Sequence, residues 1–249
     1  MPEKSFRKTA PATSLPMFEA EAEGLRELAA AEAVRVPEVY DVGADADTAW
    51  IEMERLALVT PDTNCEVRFG AQLAALHRHT ASQHGWRRDN TIGATPQTNR
   101  EERDWAVFWR EQRLGTQLDL AAANGYVGEL QERGAELKAG LAGFFEGYEP
   151  QPSLLHGDLW GGNWGMVHGH PAIFDPAVYY GDRETDLAMT RLFGGFGRAF
   201  YRAYDEAWPL ARGWEQRVPL YQLYHVLNHL NLFGSGYESR ALQLLRQLT

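Results

Sequence analysis

Three side chains between Leu154 and Asp186 are of the types that move a phosphoryl group. Asp158 lies in His156-Gly157-Asp158-Leu159-Trp160-Gly161-Gly162-Asn163, a stretch too rich in glycine and too polar for a helix interior. Asn163 follows Asp158 by five residues, the interval found between a proton-accepting aspartate and a metal-holding asparagine in phosphoryl transfer. Asp175 comes after two short apolar runs, Trp164 to Val167 and Ala172 to Phe174, separated by His168-Gly169-His170-Pro171. That pattern predicts a β-hairpin with a tight turn. A hairpin returns its far end to its origin, so Asp175 is expected beside Asn163, with Asp158 on the loop just upstream.

The chemistry explains these residue types. Mg²⁺ is a hard cation that takes one or two oxygen ligands from a protein and completes its shell with water and phosphate oxygens. Asn163 and Asp175 suit that task. Asp158 is then free to accept the proton of an attacking hydroxyl.

The runs HGDLWGGN and IFDPAVYYGDRETDLAMTRLFGGF, together with MFEAEAEGL near the start, resemble the fructosamine (ketosamine) kinase family. That family is related to aminoglycoside phosphotransferases and, more distantly, to protein kinases. The resemblance runs from about Phe6 to the C-terminus. HGD…N…D alone would fit any kinase of the aminoglycoside phosphotransferase type, whereas the tryptophan after HGDL and the FDP…YGDRE.D…LFGGF run point to this branch. It implies phosphorylation by ATP, with Mg²⁺, of the sugar 3-hydroxyl of fructosamines or ribulosamines, either as small molecules or on proteins.

The elements that must position the site are legible upstream. Ser5 to Thr9 is short and β-capable and contains Lys8. Leu15 to Ala31 has helical apolar spacing, with Ser14 as a possible N-cap. At about 100° per residue, Glu21 falls inside the apolar arc of that helix, Glu19 at its edge and Glu23 outside it. An inward carboxylate needs a partner, and Lys8 is the nearest candidate. The pair would match the strand lysine and helix glutamate of kinases, and MFEAEAEGL selects the same Glu21; the alternative is a glutamate that merely caps a packed surface. Pro37 to Val42 and Thr48 to Met53 read as two further strands. By resemblance, Glu54-Arg55-Leu56 joins two lobes and binds the adenine edge, so Glu54 and Leu56 are expected at the nucleotide. This divides the chain into an N-terminal lobe, residues 1–56, and a helical C-terminal lobe, residues 57–249. Kinases place a glycine-rich loop before the lysine strand; seven residues precede Lys8 and none is glycine. A start placed late, a short form with an open nucleotide site, and a non-catalytic module all fit that departure.

Beyond residue 56 the periodicity predicts helices over Asp62 to Thr80, Arg100 to Ala123, Tyr126 to Phe145 and most of Arg198 to Thr249, a long loop over Ser82 to Asn99, and a short strand at Ser153 to Leu155. DNTIG, at Asp89 to Gly93, resembles a stretch that the family keeps near its acceptor. Trp105, Phe108 and Trp109 read as core. Trp160, two residues from Asp158, is the candidate acceptor contact, because aromatic faces pack on sugars and alkylammonium groups; core packing is its alternative. His156 reads as a loop-holding residue, and His225 and His229, one turn apart, as packing or surface residues. Asp182 to Asp186 opens a helix, and the resemblance implies that Asp186 braces the catalytic loop.

Composition narrows the function classes. A formal net charge of −10 argues against nucleic acid or an anionic membrane as partner. The single cysteine, Cys65, permits no internal disulfide, and no apolar run reaches the length of a membrane span, so a cytoplasmic location is expected. The absence of a Walker lysine loop and of a Gly-x-Ser-x-Gly elbow removes P-loop kinases and α/β-hydrolases. The expected architecture is α+β, a two-lobed protein-kinase-like fold with a truncated β-rich N-lobe and a mainly helical C-lobe. The expected activity is an ATP-dependent ketosamine kinase, with a kinase for another small hydroxyl compound (an aminoglycoside, choline or homoserine) or a non-catalytic binding module as alternatives.

Overall fold

The computed structural model describes residues 5–249. Strand β1 (Ser5–Pro11) leads through a short turn of 3₁₀-helix into helix α1 (Leu15–Ala30), followed by β2 (Val39–Ala44) and β3 (Thr48–Glu54). The three strands form an antiparallel sheet in the order β1-β3-β2, with Lys8 opposite Ile51. Period-2 alternation makes β3 half-buried: Ala49, Ile51 and Met53 turn inward and pack against Phe18, Ala22 and Leu25 of α1, forming a small core of their own. Ser14 occupies the N-cap position of α1 but makes no side-chain cap; Pro16, in the first turn, takes the place where a free N–H would be wasted.

The larger core is helical. Helix α2 (Thr63–His77) is capped by Asp62, whose carboxylate accepts from the Cys65 amide at 2.7 Å. The segment from Ser82 to Asn99 is not a free loop as its composition suggests. It contains a hairpin of β4 (Asn90–Ile92) and β5 (Thr95–Gln97), and Thr95, Gln97 and Asn99 are buried. Asn90 donates to the Val178 carbonyl, Gln97 donates to Asn90 and the Ala177 carbonyl, and Asn99 donates to Asn90 and the Arg88 carbonyl. Arg87 and Arg88 pair with Glu23 and Glu27, fastening α1 to this hairpin.

The helix expected from Arg100 starts only at Trp105, where Asp104 caps α3 (Trp105–Trp109). A π-helical turn, Arg110–Gly115, links α3 to α4 (Thr116–Ala123). That turn carries the wholly buried Arg113, which donates to the Thr98 carbonyl and to Asn99 Oδ1 and lies 4.0 Å from the centre of the Tyr179 ring. The helix expected from Tyr126 begins at Glu129, forms α5 (Glu129–Gly140), and tightens to 3₁₀ over Leu141–Phe145. After β6 (Ser153–Leu155), the hairpin of β7 (Trp164–Val167) and β8 (His170–Ile173) turns on two residues only. His168 and Gly169 both have positive φ, 51° and 80°, the pattern of a type I′ turn, so His170 and Pro171 belong to the strand. Strand β9 (Tyr179–Gly181) pairs with β6 and leads into α6 (Glu184–Thr190). Helices α7 (Arg198–Ala207), α8 (Trp214–Phe233) and α9 (Glu238–Leu248) complete the chain. Among the described residues no helix is long and apolar enough to cross a membrane.

Helix α2 lies on α7 with backbone-to-backbone closeness at Gly70: a Cβ there would run into the Phe200 carbonyl oxygen and lie 2.8 Å from the Tyr204 amide. Both obstacles are backbone and cannot rotate away. Gly70→Ala is therefore expected to destabilise the protein by about 1–3 kcal/mol, read as a lower urea midpoint. An unchanged midpoint would show that the two helices can separate without loss.

Candidate active site

The catalytic-type loop leaves β6 at His156 and needs glycine at once. Gly157 has φ of +82°, and a Cβ there would strike the Ala177 carbonyl. The loop is held from below by Asp186, on the first turn of α6. Its Oδ2 accepts from the His156 amide at 2.8 Å and from His77 Nε2 at 3.2 Å, and its Oδ1 accepts from the Gly157 amide at 2.9 Å. Since His77 donates through Nε2, its Nδ1 accepts from the Tyr204 hydroxyl at 2.8 Å. Burial opposes the charge on Asp186, but the hydrogen bond from His77 and the backbone donors outweigh it and hold the carboxyl below its ordinary range. His156 is fully buried and burial keeps it neutral. Its Nδ1 accepts from the Asp158 amide at 3.2 Å and its Nε2 donates to the Phe174 carbonyl at 3.0 Å.

The hairpin brings the two far residues together as its geometry demands. The Phe174 amide donates to the Asn163 carbonyl at 3.1 Å. Asn163 Nδ2 donates to the Asp158 carbonyl at 2.9 Å and more weakly to Asp158 Oδ2 and the Asp175 carbonyl, both at 3.4 Å. Every hydrogen bond of this side chain among the described residues comes from Nδ2, which leaves Oδ1 available as a donor atom to a cation. Asp175 adopts a left-handed backbone, φ 56°, rare for a residue with a Cβ. Its side chain leaves the hairpin and meets Lys8, Oδ1 to Nζ 2.6 Å.

Lys8 is shared. Nζ lies 2.7 Å from Glu21 Oε1 as well, so one ammonium serves two carboxylates. Burial works against its charge, but Glu21 and Asp175 together hold it above its ordinary value. Glu21 is under-compensated: burial pushes it up, and Lys8 offsets this only in part. Asp158 is pushed up to about 7, first by burial and then by the negative charges of Asp186 and Asp175.

Lys8 and Asp175 stand between two cavities. One, of about 260 Å³, is lined by Glu21, Asp158, Trp160 and Asn163, by Met17 and Phe18 of α1, by Asn90 and Thr91 of β4, and by Gly93 in the turn that follows. The other, of about 300 Å³, is mostly apolar and lies under Phe6, Pro37, Met53, Leu58 and Phe174. Glu54 and Leu56 both line the second cavity. Glu54, however, spends its amide on the Glu38 carbonyl at 2.7 Å and its carboxylate on Arg35, whereas the backbone N–H and C=O of Leu56 carry no hydrogen bond among the described residues. Trp160 is not a core residue: it is 40% exposed. His225 is buried in α8, and His229, half-buried, contacts its carbonyl.

Asn163 Oδ1 and the Asp175 carboxylate are oxygen donors of the kind Mg²⁺ takes from a protein where phosphates complete its shell. Among the described residues no cluster of three His, Cys, Asp or Glu side chains could hold a metal without such help.

The fructosamine kinase family profile matches residues 2–249. The chain belongs to that family. The probable ketoamine kinase slr1563 of Synechocystis is 45% identical over 247 residues, 98% of this chain and 83% of that protein. The solved structure of a provisionally assigned fructosamine-3-kinase from Haemophilus somnus superimposes with a TM-score of 0.91 at 30% identity, over 98% of this chain and 83% of that one. At the level of fold alone, the ADP-bound aminoglycoside phosphotransferase APH(2'')-Ib follows with a TM-score of 0.65 at 14% identity, over 99% of this chain and 87% of that one. The family member described here is thus an ATP-using kinase of the two-lobed α+β type.

His77, Met17 and Phe18 were not legible as site residues. A lone histidine at the end of a helix gives no sign of the carboxylate it meets 109 residues later, and an apolar side chain lining a cleft reads the same as one in a core. Asp186→Ala removes the acceptor of two buried backbone amides and of His77 and should cost roughly 3 kcal/mol or more, measured by urea denaturation at neutral pH. The group is held below its ordinary value, so its contribution is present above the unfolded-state pKa and disappears as pH falls through the folded one. The difference from wild type should shrink in acid; a pH-independent difference would contradict an ionised Asp186.

Proposed function

We propose that this kinase transfers the γ-phosphoryl group of ATP to a sugar hydroxyl of a ketosamine, a fructosamine or ribulosamine, free or attached to a protein. The observation that carries the reading is the convergence of Asp158, Asn163 and Glu21 in one cavity with Lys8 and Asp175, which also border a second, apolar cavity. The bond from the γ-phosphorus to the β–γ bridging oxygen breaks, a bond to the sugar oxygen forms, and the hydroxyl proton passes to Asp158. Little covalent work falls to the protein in a loose transition state, so positioning and charge carry the rate.

Each residue then has a stated task. The apolar cavity takes the adenine, with the backbone groups of Leu56 and the carbonyl of Glu54 for its edge. Lys8 meets the phosphates and Glu21 orients it. Asn163 Oδ1 and Asp175 would hold Mg²⁺, which supplies charge neutralisation at the phosphates when bound. Trp160 flanks the acceptor in the polar cavity. We place the lobe boundary at residue 56, after the sheet that shares its own core with α1 and before α2. The single buried Cys65 suits a reducing cytoplasm.

Asp158 must be ionised to accept a proton, and its pKa near 7 sets the pH dependence. kcat/KM, which reports the free enzyme, should fall as pH drops through about 7 and level off above it. Asp158→Asn should remove turnover of fructoselysine by roughly 10²-fold or more while ATP still binds; loss of both together would instead mark Asp158 as structural. Asp175→Ala should abolish the Mg²⁺-dependent part of ATP binding, measured by calorimetry with and without Mg²⁺. Binding that keeps its Mg²⁺ dependence would remove Asp175 from the ligand set.

A further inference from the structure

The segment Phe193-Gly194-Gly195-Phe196, between α6 and α7, takes no part in the chemistry above, yet it is built against the catalytic loop. A Cβ on Gly161 would lie 3.0 Å from the Gly194 carbonyl oxygen and 3.2 Å from Gly195 Cα, so two glycine-bearing backbones touch directly. Gly194 and Gly195 have φ of +76° and +94°, a conformation that side chains resist. The two phenylalanines then point to different places. Phe196 stacks on Trp164 at 5.1 Å and anchors the segment in the core beside Phe200. Phe193 is left 42% exposed, edge-on to Trp160 at 6.4 Å.

From Phe193 the aromatic surface continues. Its ring lies 4.8 Å from His229, which in turn lies 5.4 Å from Phe233 and 5.1 Å from Tyr237. Phe233 is 67% exposed. The row is continuous with the polar cavity at two points: Trp160 lines that cavity, and so does Gly93, where a Cβ would sit 3.3 Å from Leu232 of the same helix as His229 and Phe233. His229 adds a polar group of defined character. Burial keeps the ring neutral, and Nδ1 lies 2.8 Å from the His225 carbonyl, to which it must donate. The remaining nitrogen, Nε2, is therefore a hydrogen-bond acceptor.

We propose that the row Trp160–Phe193–His229–Phe233 is the binding surface for the amine substituent of the acceptor, specifically an alkyl chain carrying an ammonium group, as in a lysine-derived ketosamine. A sugar held at Asp158 must send its substituent out along a wall of the cavity, and this is a wall of aromatic faces leading from it. Such faces take methylenes by apolar contact and an ammonium by cation–π attraction, and the His229 lone pair accepts an N–H. Free fructoselysine also carries a carboxylate, which finds no cation among these four residues and is left to solvent. The proposal rests on the ketosamine reading and assigns Phe193, His229 and Phe233 to specificity rather than to the chemical step.

The test compares two acceptors, fructoselysine and the fructosamine of methylamine, with wild type, Phe193→Ala and Phe233→Ala. Phe233 is so exposed that its truncation should leave the fold intact. For fructoselysine, both variants should lose kcat/KM through KM, Phe193→Ala by about tenfold and Phe233→Ala by about threefold. For the methylamine derivative, both should stay within about twofold of wild type. Equal losses on the two acceptors, or none on either, would overturn the proposal while leaving the ketosamine reading intact. Wild-type protein that phosphorylates neither acceptor would overturn that reading and the proposal with it.

Discussion

One buried carboxylate organises this protein. Asp186 is 1% exposed, in surroundings where an unpaired charge would cost far more than one ion pair returns. It is tolerated because three donors converge on it: the amides of His156 and Gly157 and the imidazole of His77. Those donors come from the loop that carries Asp158 and from α2, while the Tyr204 hydroxyl behind His77 comes from α7. The close contact of α2 with α7 at Gly70 is what places His77 and Tyr204 in line. Core packing and loop position are thereby the same problem: helices that slip would strand the charge, and a stranded charge would release the loop that carries Asp158.

The second constraint crosses the cleft. Lys8 offers one ammonium to Glu21 on its own lobe and to Asp175 at the end of the β7–β8 hairpin. Burial raises Glu21 above its ordinary value, and Lys8, shared with Asp175, offsets this only in part. The same arrangement holds Asp175 at the boundary of the two cavities, where the proposed function puts the phosphates. The left-handed backbone at Asp175 is a local cost of aiming that side chain across the cleft rather than along the strand.

Much of this was legible without coordinates, and for identifiable reasons. The convergence of Asp158, Asn163 and Asp175 follows from hairpin geometry, which is local and needs no knowledge of distant contacts. The inward aim of Glu21 follows from helical periodicity, and the three-stranded sheet from alternation. What failed to show was non-local. Asn90, Gln97 and Asn99 are polar residues among glycine and proline, a composition that signals a loop, yet they form a buried hydrogen-bonded hairpin because carbonyls from Ala177 and Val178 need donors. Arg113 falls within the stretch expected to be helical, and its burial between Tyr179 and the Thr98 carbonyl is accommodated by a π-turn that no periodicity announces. Trp160 could not be assigned from sequence, since a tryptophan beside a loop packs inward as readily as it lines a cleft.

The most direct test of the account is to give the wild-type chain ATP, Mg²⁺ and, in separate reactions, fructoselysine, an aminoglycoside, choline and homoserine, and to follow ADP and product by mass. The account predicts ADP and a singly phosphorylated ketosamine in equal amounts, with the other three acceptors left unmodified. Preferential phosphorylation of any of those three, or ADP release that fructoselysine does not stimulate, would contradict it.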